Sequence, residues 1–134
     1  MSWRLVDKAV GQLNELLVGP PAPVLIHGDF HHFNVLRAER EPWLAIDPKG
    51  VASEPAFEIG PLLYNPMPHV FAWPDLPRVT RRRLDLLTER LALDRQRLIA
   101  CAFVAAVLSL CWSIEGGDRL GLQVLAIAEV LDEL

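Results

Sequence analysis

Apolar residues recur at Val6, Ala9, Val10, Leu13, Leu16 and Leu17, the spacing of one helical face, and predict an amphipathic helix over residues 3–18. Gly19-Pro20-Pro21 closes it, because proline has no N–H to continue the backbone bonding. Val24-Leu25-Ile26 is a short apolar run that enters a histidine-rich loop. Residues 34–37 and 43–46 are β-like stretches joined by the polar turn Ala38-Glu39-Arg40-Glu41-Pro42, and predict a small hairpin. Between residues 51 and 77 the chain is punctuated by Pro55, Pro61, Pro66, Pro68, Pro74 and Pro77, which leaves room for a helical turn or two over residues 56–63. Residues 78–93 carry Leu84, Leu87 and Leu91 on one helical face. Asp94 is placed to cap a long apolar helix by accepting from the free amides of its first turn. Gly116-Gly117 ends that helix, and Asp118 is placed to cap a last one reaching Leu134. The order predicts an α+β fold, mostly helical.

A chain of 134 residues suits a single domain, here residues 1–134, and a 51% hydrophobic content excludes an intrinsically disordered one. Thirteen Lys and Arg stand against seventeen Asp and Glu, a net charge of −4, so no nucleic-acid partner is expected. Arg78, Arg81, Arg82 and Arg83 accordingly read as a solvated helix face, with an RNA-binding patch as the alternative. Cys101 and Cys111 fall in one apolar run; on a helix they would lie about 15 Å apart along the axis, too far for a disulfide. They read as buried thiols of a reducing compartment. The segment Met1-Ser2-Trp3-Arg4-Leu5-Val6-Asp7 holds no apolar core of signal-peptide length, and the expected location is cytoplasmic. Residues 98–114 carry no charge and reach the lower edge of a bilayer-spanning length. Glu115 and Asp118 follow closely, and Ser109 and Trp112 interrupt the run, so it reads as the central helix of a soluble domain with no membrane partner.

The stretch with chemical content is Ile26-His27-Gly28-Asp29-Phe30-His31-His32-Phe33-Asn34-Val35-Leu36, followed by Ile46-Asp47-Pro48-Lys49-Gly50. A tight loop opening the hairpin brings Asp29 near Asn34, and the hairpin returns Asp47 beside Asn34. Two carboxylates and an amide oxygen then meet at one mouth. Oxygen donors of this kind suit Mg²⁺, which keeps several waters and relies on substrate phosphates for the rest. A carboxylate left free of the metal can accept a proton from an attacking hydroxyl, which completes the inventory of phosphoryl transfer. The bland reading is a turn, since Asp and Asn bond their own backbone and tolerate left-handed conformations. A second alternative is zinc, held by His27, Asp29, His31 and His32; no Cys-x-x-Cys or distant histidine pair completes such a site, and His69 stands alone among prolines.

His27-Gly28-Asp29 with Asn34 resembles the HGDxxxxN catalytic loop of the aminoglycoside phosphotransferase family, relatives of the protein kinases. Ile46-Asp47-Pro48-Lys49-Gly50 matches that family's metal-binding IDxxG segment. The wording of both, with Glu54-Pro55-Ala56-Phe57-Glu58-Ile59-Gly60, is most similar to its streptomycin 6-kinase and hydroxyurea-resistance branch, over residues 24–66. The resemblance implies a protein-kinase-like C-terminal lobe and ATP as phosphate donor. It implies Asp29 as the base toward the substrate hydroxyl, Asn34 and Asp47 as holders of Mg²⁺ on the ATP phosphates, and His27 as support for the loop. Glu58 falls where the family braces that loop from the next helix, or is a plain surface glutamate. Lys49 touches phosphate or is simply solvent-exposed. The implied substrate is a hydroxyl of an aminoglycoside or similar small molecule, drawn in by Glu54, Glu58, Glu115 and Asp118; the residues that bind it are not readable.

No Gly-x-Gly-x-x-Gly pattern occurs, and the only lysines are Lys8 and Lys49. Kinases of this type use a β-rich lobe with a glycine-rich loop and a strand lysine. The expectation is therefore a C-terminal lobe without its N-terminal ATP lobe, inactive by itself and paired either with that lobe or as a homodimer. The alternative function is a non-catalytic kinase remnant serving as an interaction module.

Overall fold

The computed structural model describes residues 3–134; Met1 and Ser2, the first two residues of the expected leaderless N-terminus, lie outside the described residues. Five helices and four short strands follow in the order α1 (Trp3–Leu16), β1 (Val24–Ile26), β2 (Val35–Arg37), β3 (Trp43–Ala45), β4 (Val51–Ser53), α2 (Ile59–Leu63), α3 (Leu76–Leu91), α4 (Arg95–Gly116) and α5 (Leu125–Asp132). The mostly helical α+β composition agrees with the sequence pattern. The hairpin is the antiparallel pair β2–β3, with Val35 opposite Ala45 and Arg37 opposite Trp43. A second antiparallel pair, β1–β4, sets Val24 opposite Ser53 and Ile26 opposite Val51. Sequence patterning does not anticipate it, since each strand has three residues and no alternation to read.

The long apolar helix is the axis of the core. Leu98, Cys101, Ala102, Phe103, Ala106 and Leu110 of α4 are fully buried or nearly so, and α1, α2, α3 and α5 all pack against it. It is long and apolar enough to cross a membrane, yet most of its apolar run is enclosed by the other helices. Asp94 caps it as expected, accepting from the Arg97 N–H at 2.7 Å. Gly117, at φ 69°, turns the chain away at its end. Asp118 does not cap the last helix: it accepts from Leu120 N–H at 3.0 Å, and a 3-10 turn over Gly121–Val124 intervenes before α5. Likewise α3 begins earlier than expected, at Leu76, because Asp75 accepts from Arg78 N–H and caps it.

Helix α1 uses only part of its apolar face. Leu5, Ala9 and Leu16 are buried, whereas Val10 and Leu17 are 54% and 64% exposed. Helix α2 sits so close to α4 that a Cβ at Gly60 would lie 2.5 Å from the Ala105 Cβ. That contact places the chain just before α2 under the histidine-rich loop.

Two polar clusters hold the frame. Glu54, 6% exposed, receives Arg97 Nε at 2.9 Å and Arg97 Nη2 at 2.5 Å. It also accepts from Cys101 Sγ at 3.0 Å. The same guanidinium reaches the Leu16 carbonyl at 2.8 Å, so β4, α4 and the end of α1 are joined through one carboxylate. Glu54 is thus a core anchor and not a residue that attracts substrate: its charge is spent on Arg97. Burial pushes its carboxyl up, but the Arg97 and Cys101 hydrogen bonds outweigh this and hold it below its ordinary value. Burial also pushes the Cys101 thiol up, so it stays protonated. Arg83 likewise departs from the solvated face expected of it. It is half-buried, donates to the carbonyls of Leu62, Leu63 and Asn65 at the end of α2, and lies 5.6 Å from the Trp73 ring centre.

Candidate functional site

The loop between β1 and β2 is held from below by one side chain. Glu58, at the entry to α2, accepts the His27 N–H at 2.6 Å through Oε2 and the Gly28 N–H at 2.8 Å through Oε1. It is therefore a brace and not a surface glutamate. Gly28 has φ 83°, where an L side chain is strained, and a Cβ there would come within 3.2 Å of Lys49 Cβ and Val51 Cγ2. The glycine of the histidine–glycine–aspartate motif is needed for both reasons.

His27 closes the loop from the side. Its Nε2 lies 2.7 Å from the Ile46 carbonyl, and its Nδ1 accepts from the Asp29 N–H at 3.3 Å. These partners assign the neutral tautomer with the proton on Nε2. The Lys49 N–H donates to the His27 carbonyl at 2.7 Å, and Ile46 N–H to the Asn34 carbonyl at 2.9 Å. Five hydrogen bonds thus tie the two motif segments to each other and to α2.

Asn34 ends a short 3-10 turn over His32–Asn34 instead of beginning β2, and its side chain is 8% exposed. Its Nδ2 donates to the Asp29 carbonyl at 2.8 Å, which leaves its amide oxygen outside that bond. Asp47 follows β3 with φ 56°, a left-handed conformation that aspartate tolerates better than most residues. Its carboxylate accepts from Lys49 Nζ at 2.9 Å, and the same ammonium lies 3.9 Å from Asp29 Oδ2. The two carboxylates share one cation. The Lys49 hydrogen bond and charge hold the Asp47 carboxyl below its ordinary range. Lys49 is therefore neither buried nor free.

The donor set suits a hard divalent ion. Asp47 offers a carboxylate and Asn34 an amide oxygen, and the ammonium of Lys49 already stands as a cation beside Asp47 and Asp29. The zinc alternative has no such convergence. His31 turns its Nε2 to Asp29 Oδ1 at 3.6 Å, while burial, then the Arg83 charge, then that of His31 hold His32 below its ordinary value. Among the described residues no three His, Cys, Asp or Glu side chains cluster closely enough for a metal.

Asp29 opens into a cleft of about 590 Å³ whose walls include His31, Lys49, Tyr64, Ser109 and Trp112. Tyr64, the only tyrosine of the chain, has its hydroxyl pushed up by burial and then by the Asp29 charge, and it hydrogen-bonds to Ser109. Sequence reading singles out none of Tyr64, Ser109 and Trp112 for the site, and they line this cleft beside Asp29. Ser109 and Trp112 are one helical turn apart on α4, so the polar and amphipathic breaks in the apolar run mark the helix stripe that faces the cleft. Glu115 and Asp118 are not among its walls: Glu115 lies beside Trp3 and Ile114, and Asp118 serves the turn after α4.

A family model described as aminoglycoside/hydroxyurea antibiotic resistance kinase matches residues 1–117. Over 102 residues the chain is 46% identical to streptomycin 6-kinase of Streptomyces glaucescens, covering 76% of this chain and 33% of that protein. Over 116 residues it is 43% identical to streptomycin 6-kinase of Streptomyces griseus, covering 86% and 38%. Over 130 residues it is 39% identical to hydroxyurea phosphotransferase of Kitasatospora aureofaciens, covering 96% and 35%. The chain spans about a third of the length of these curated relatives. No solved structure matches it.

Proposed function

The chain belongs to the aminoglycoside/hydroxyurea antibiotic resistance kinase family, and from that premise we propose that it carries the catalytic loop of an ATP-dependent O-phosphotransferase. The substrate class is a small molecule bearing a free hydroxyl, an aminoglycoside such as streptomycin or a compound like it. Asp29 accepts the hydroxyl proton, a role that typically contributes ~10²–10⁴-fold. Asn34 and Asp47 would hold Mg²⁺, which would supply charge neutralisation to the donor phosphates. His27 and Glu58 keep the loop in shape. The substrate enters the cleft beside Tyr64, Ser109 and Trp112. On this reading the chain is a protein-kinase-like C-terminal lobe, a single domain of a cytoplasmic protein.

The observation that carries this reading is the pairing of Asp29 and Asp47 across a single cation, with Asn34 bonded to the Asp29 backbone. When bound, the metal neutralises charge on the donor phosphates. The chain's own residues do the rest: Asp29 orients the hydroxyl and takes its proton, and His27 holds the two segments together through the Ile46 carbonyl and the Asp29 N–H. Mn²⁺, a spectroscopic substitute for Mg²⁺, tests the metal role. Titration of the 134-residue chain followed by electron paramagnetic resonance should show one saturable site, weakened at least about tenfold in Asp47→Asn, a loss of ~1.4 kcal/mol. Asparagine keeps the left-handed preference and removes only the charge. Equal binding by the two proteins would remove Asp47 from the site.

A second reading, a non-catalytic interaction module, is favoured by one feature. Leu13, Leu17, Val104, Leu108 and Trp112 line an open apolar groove of about 400 Å³ between α1 and α4. By itself the chain is then without kinase activity and associates through that face with a second copy. Magnesium-dependent consumption of ATP with streptomycin by this chain, lost in Asp29→Asn, would decide for the enzyme.

A further inference from the structure

We propose that Lys49 is a catalytic residue whose ammonium holds the oxygens of the phosphoryl group in transit between donor and hydroxyl. The inference rests on the reading of Asp29 as base and Asp47 as metal holder. Those two carboxylates mark the ends of the transfer: the attacking oxygen lies at Asp29, and the leaving oxygen of the donor lies on the Asp47 side. The phosphorus has to pass between them. Lys49 Nζ stands in that interval, 2.9 Å from Asp47 Oδ2 and 3.9 Å from Asp29 Oδ2.

The backbone of Lys49 is fixed, while its ammonium is held only by partly exposed carboxylates at the end of a flexible stem. Its N–H is bonded to the His27 carbonyl at 2.7 Å, and its Cβ lies against Gly28. The side chain is 49% exposed, and four methylenes give the ammonium a reach of several ångströms. Among the described residues lining the cleft, Lys49 is the one Lys or Arg. Two carboxylates without it would repel an incoming phosphate. A cation here offsets one of their charges and faces the three equatorial oxygens on which charge spreads in the transition state. Were Asp47 to hold a metal, it would be a weaker partner for the Lys49 ammonium, whose N–H groups would then be available to phosphate oxygens.

The step balances. The bond from phosphorus to the bridging oxygen of the donor breaks as the bond to the hydroxyl oxygen forms. The donor departs as a nucleoside diphosphate with that electron pair, and the hydroxyl proton passes to the Asp29 carboxylate. Lys49 keeps its protons throughout.

Isothermal titration of the 134-residue chain tests the inference, with Mn²⁺ and then inorganic tripolyphosphate as probes. Lys49→Met should bind Mn²⁺ at least as tightly as the parent, because a competing cation is gone. Its affinity for tripolyphosphate in saturating Mn²⁺ should fall about tenfold, and Lys49→Arg should retain most of that affinity. Unchanged tripolyphosphate affinity in Lys49→Met would overturn the inference. So would a parallel loss of Mn²⁺, which makes Lys49 a prop of Asp47, or equal losses in Lys49→Met and Lys49→Arg. A parent chain that takes up no Mn²⁺ would overturn the metal reading, and the inference with it.

Discussion

The Glu58 carboxylate receives the His27 N–H at 2.6 Å, and its second oxygen takes the neighbouring Gly28 N–H at 2.8 Å. One side chain on the entry to α2 thereby fixes the backbone from which Asp29 projects. Glu58→Gln keeps the size but turns an NH₂ group toward a backbone donor. It should cost about 1–3 kcal/mol, the scale of an unsatisfied donor. Urea unfolding checks this, and an unchanged midpoint would contradict the brace.

The Glu54–Arg97 pair sets the response to acid. The folded Glu54 carboxyl ionises below its ordinary value near 4.5, and Asp132 below its value near 3.8 through the Lys8 and Arg4 hydrogen bonds. A depressed folded pKa means that this stability is complete above the unfolded value and lost as pH falls through the folded one. The chain should therefore weaken progressively below about pH 4.5. Glu54→Gln should be less stable at neutral pH and show a shallower acid slope. Thermal melts between pH 7 and 3 measure both, and parallel curves for the two proteins would contradict the assignment.

Gly60 sets the distance between α2 and α4. Gly60→Ala puts a methyl 2.5 Å from the Ala105 Cβ, so one helix must shift. Overpacking of this kind costs about 1–3 kcal/mol. The shift also moves Glu58, so amide exchange at His27 and Gly28 should quicken in this variant; unaltered exchange would separate the helix contact from the loop.

The exposed stripe of α1 predicts association. Val10 and Leu17 are more than half exposed, and Leu108 and Trp112 flank them on α4. Contiguous apolar patches of this kind are rare on monomers. Light scattering should give a dimer at micromolar concentration, shifted to monomer by Leu13→Glu without loss of helical signal. A monomer in the parent chain would contradict the prediction.

Much of the frame is legible in the chain because its determinants are local. Periodicity places α1 and α4, Asp94 announces its cap, and the spacing of Asn34 and Asp47 announces the β2–β3 hairpin. What escaped is set by tertiary contact. The strands β1 and β4 are too short to alternate, and only folding brings Val24 to Ser53. Arg83 and Glu54 look like surface charges until the chain end of α2 and the guanidinium of Arg97 are in place around them. Tyr64, Ser109 and Trp112 meet only because α2 lies on α4. The bridging position of Lys49 depends on a left-handed Asp47, which no pattern of apolar residues reports.

The most direct test of the central claim is phosphate transfer in a chimera. The 116 residues aligned with streptomycin 6-kinase of Streptomyces griseus replace their counterparts in that enzyme, and labelled phosphate moving from ATP to streptomycin is counted. The chimera should transfer phosphate, and Asp29→Asn should lower that transfer by about 10²-fold or more with ATP binding retained. A folded chimera whose Asp29→Asn variant transfers phosphate at the parent rate would contradict that claim.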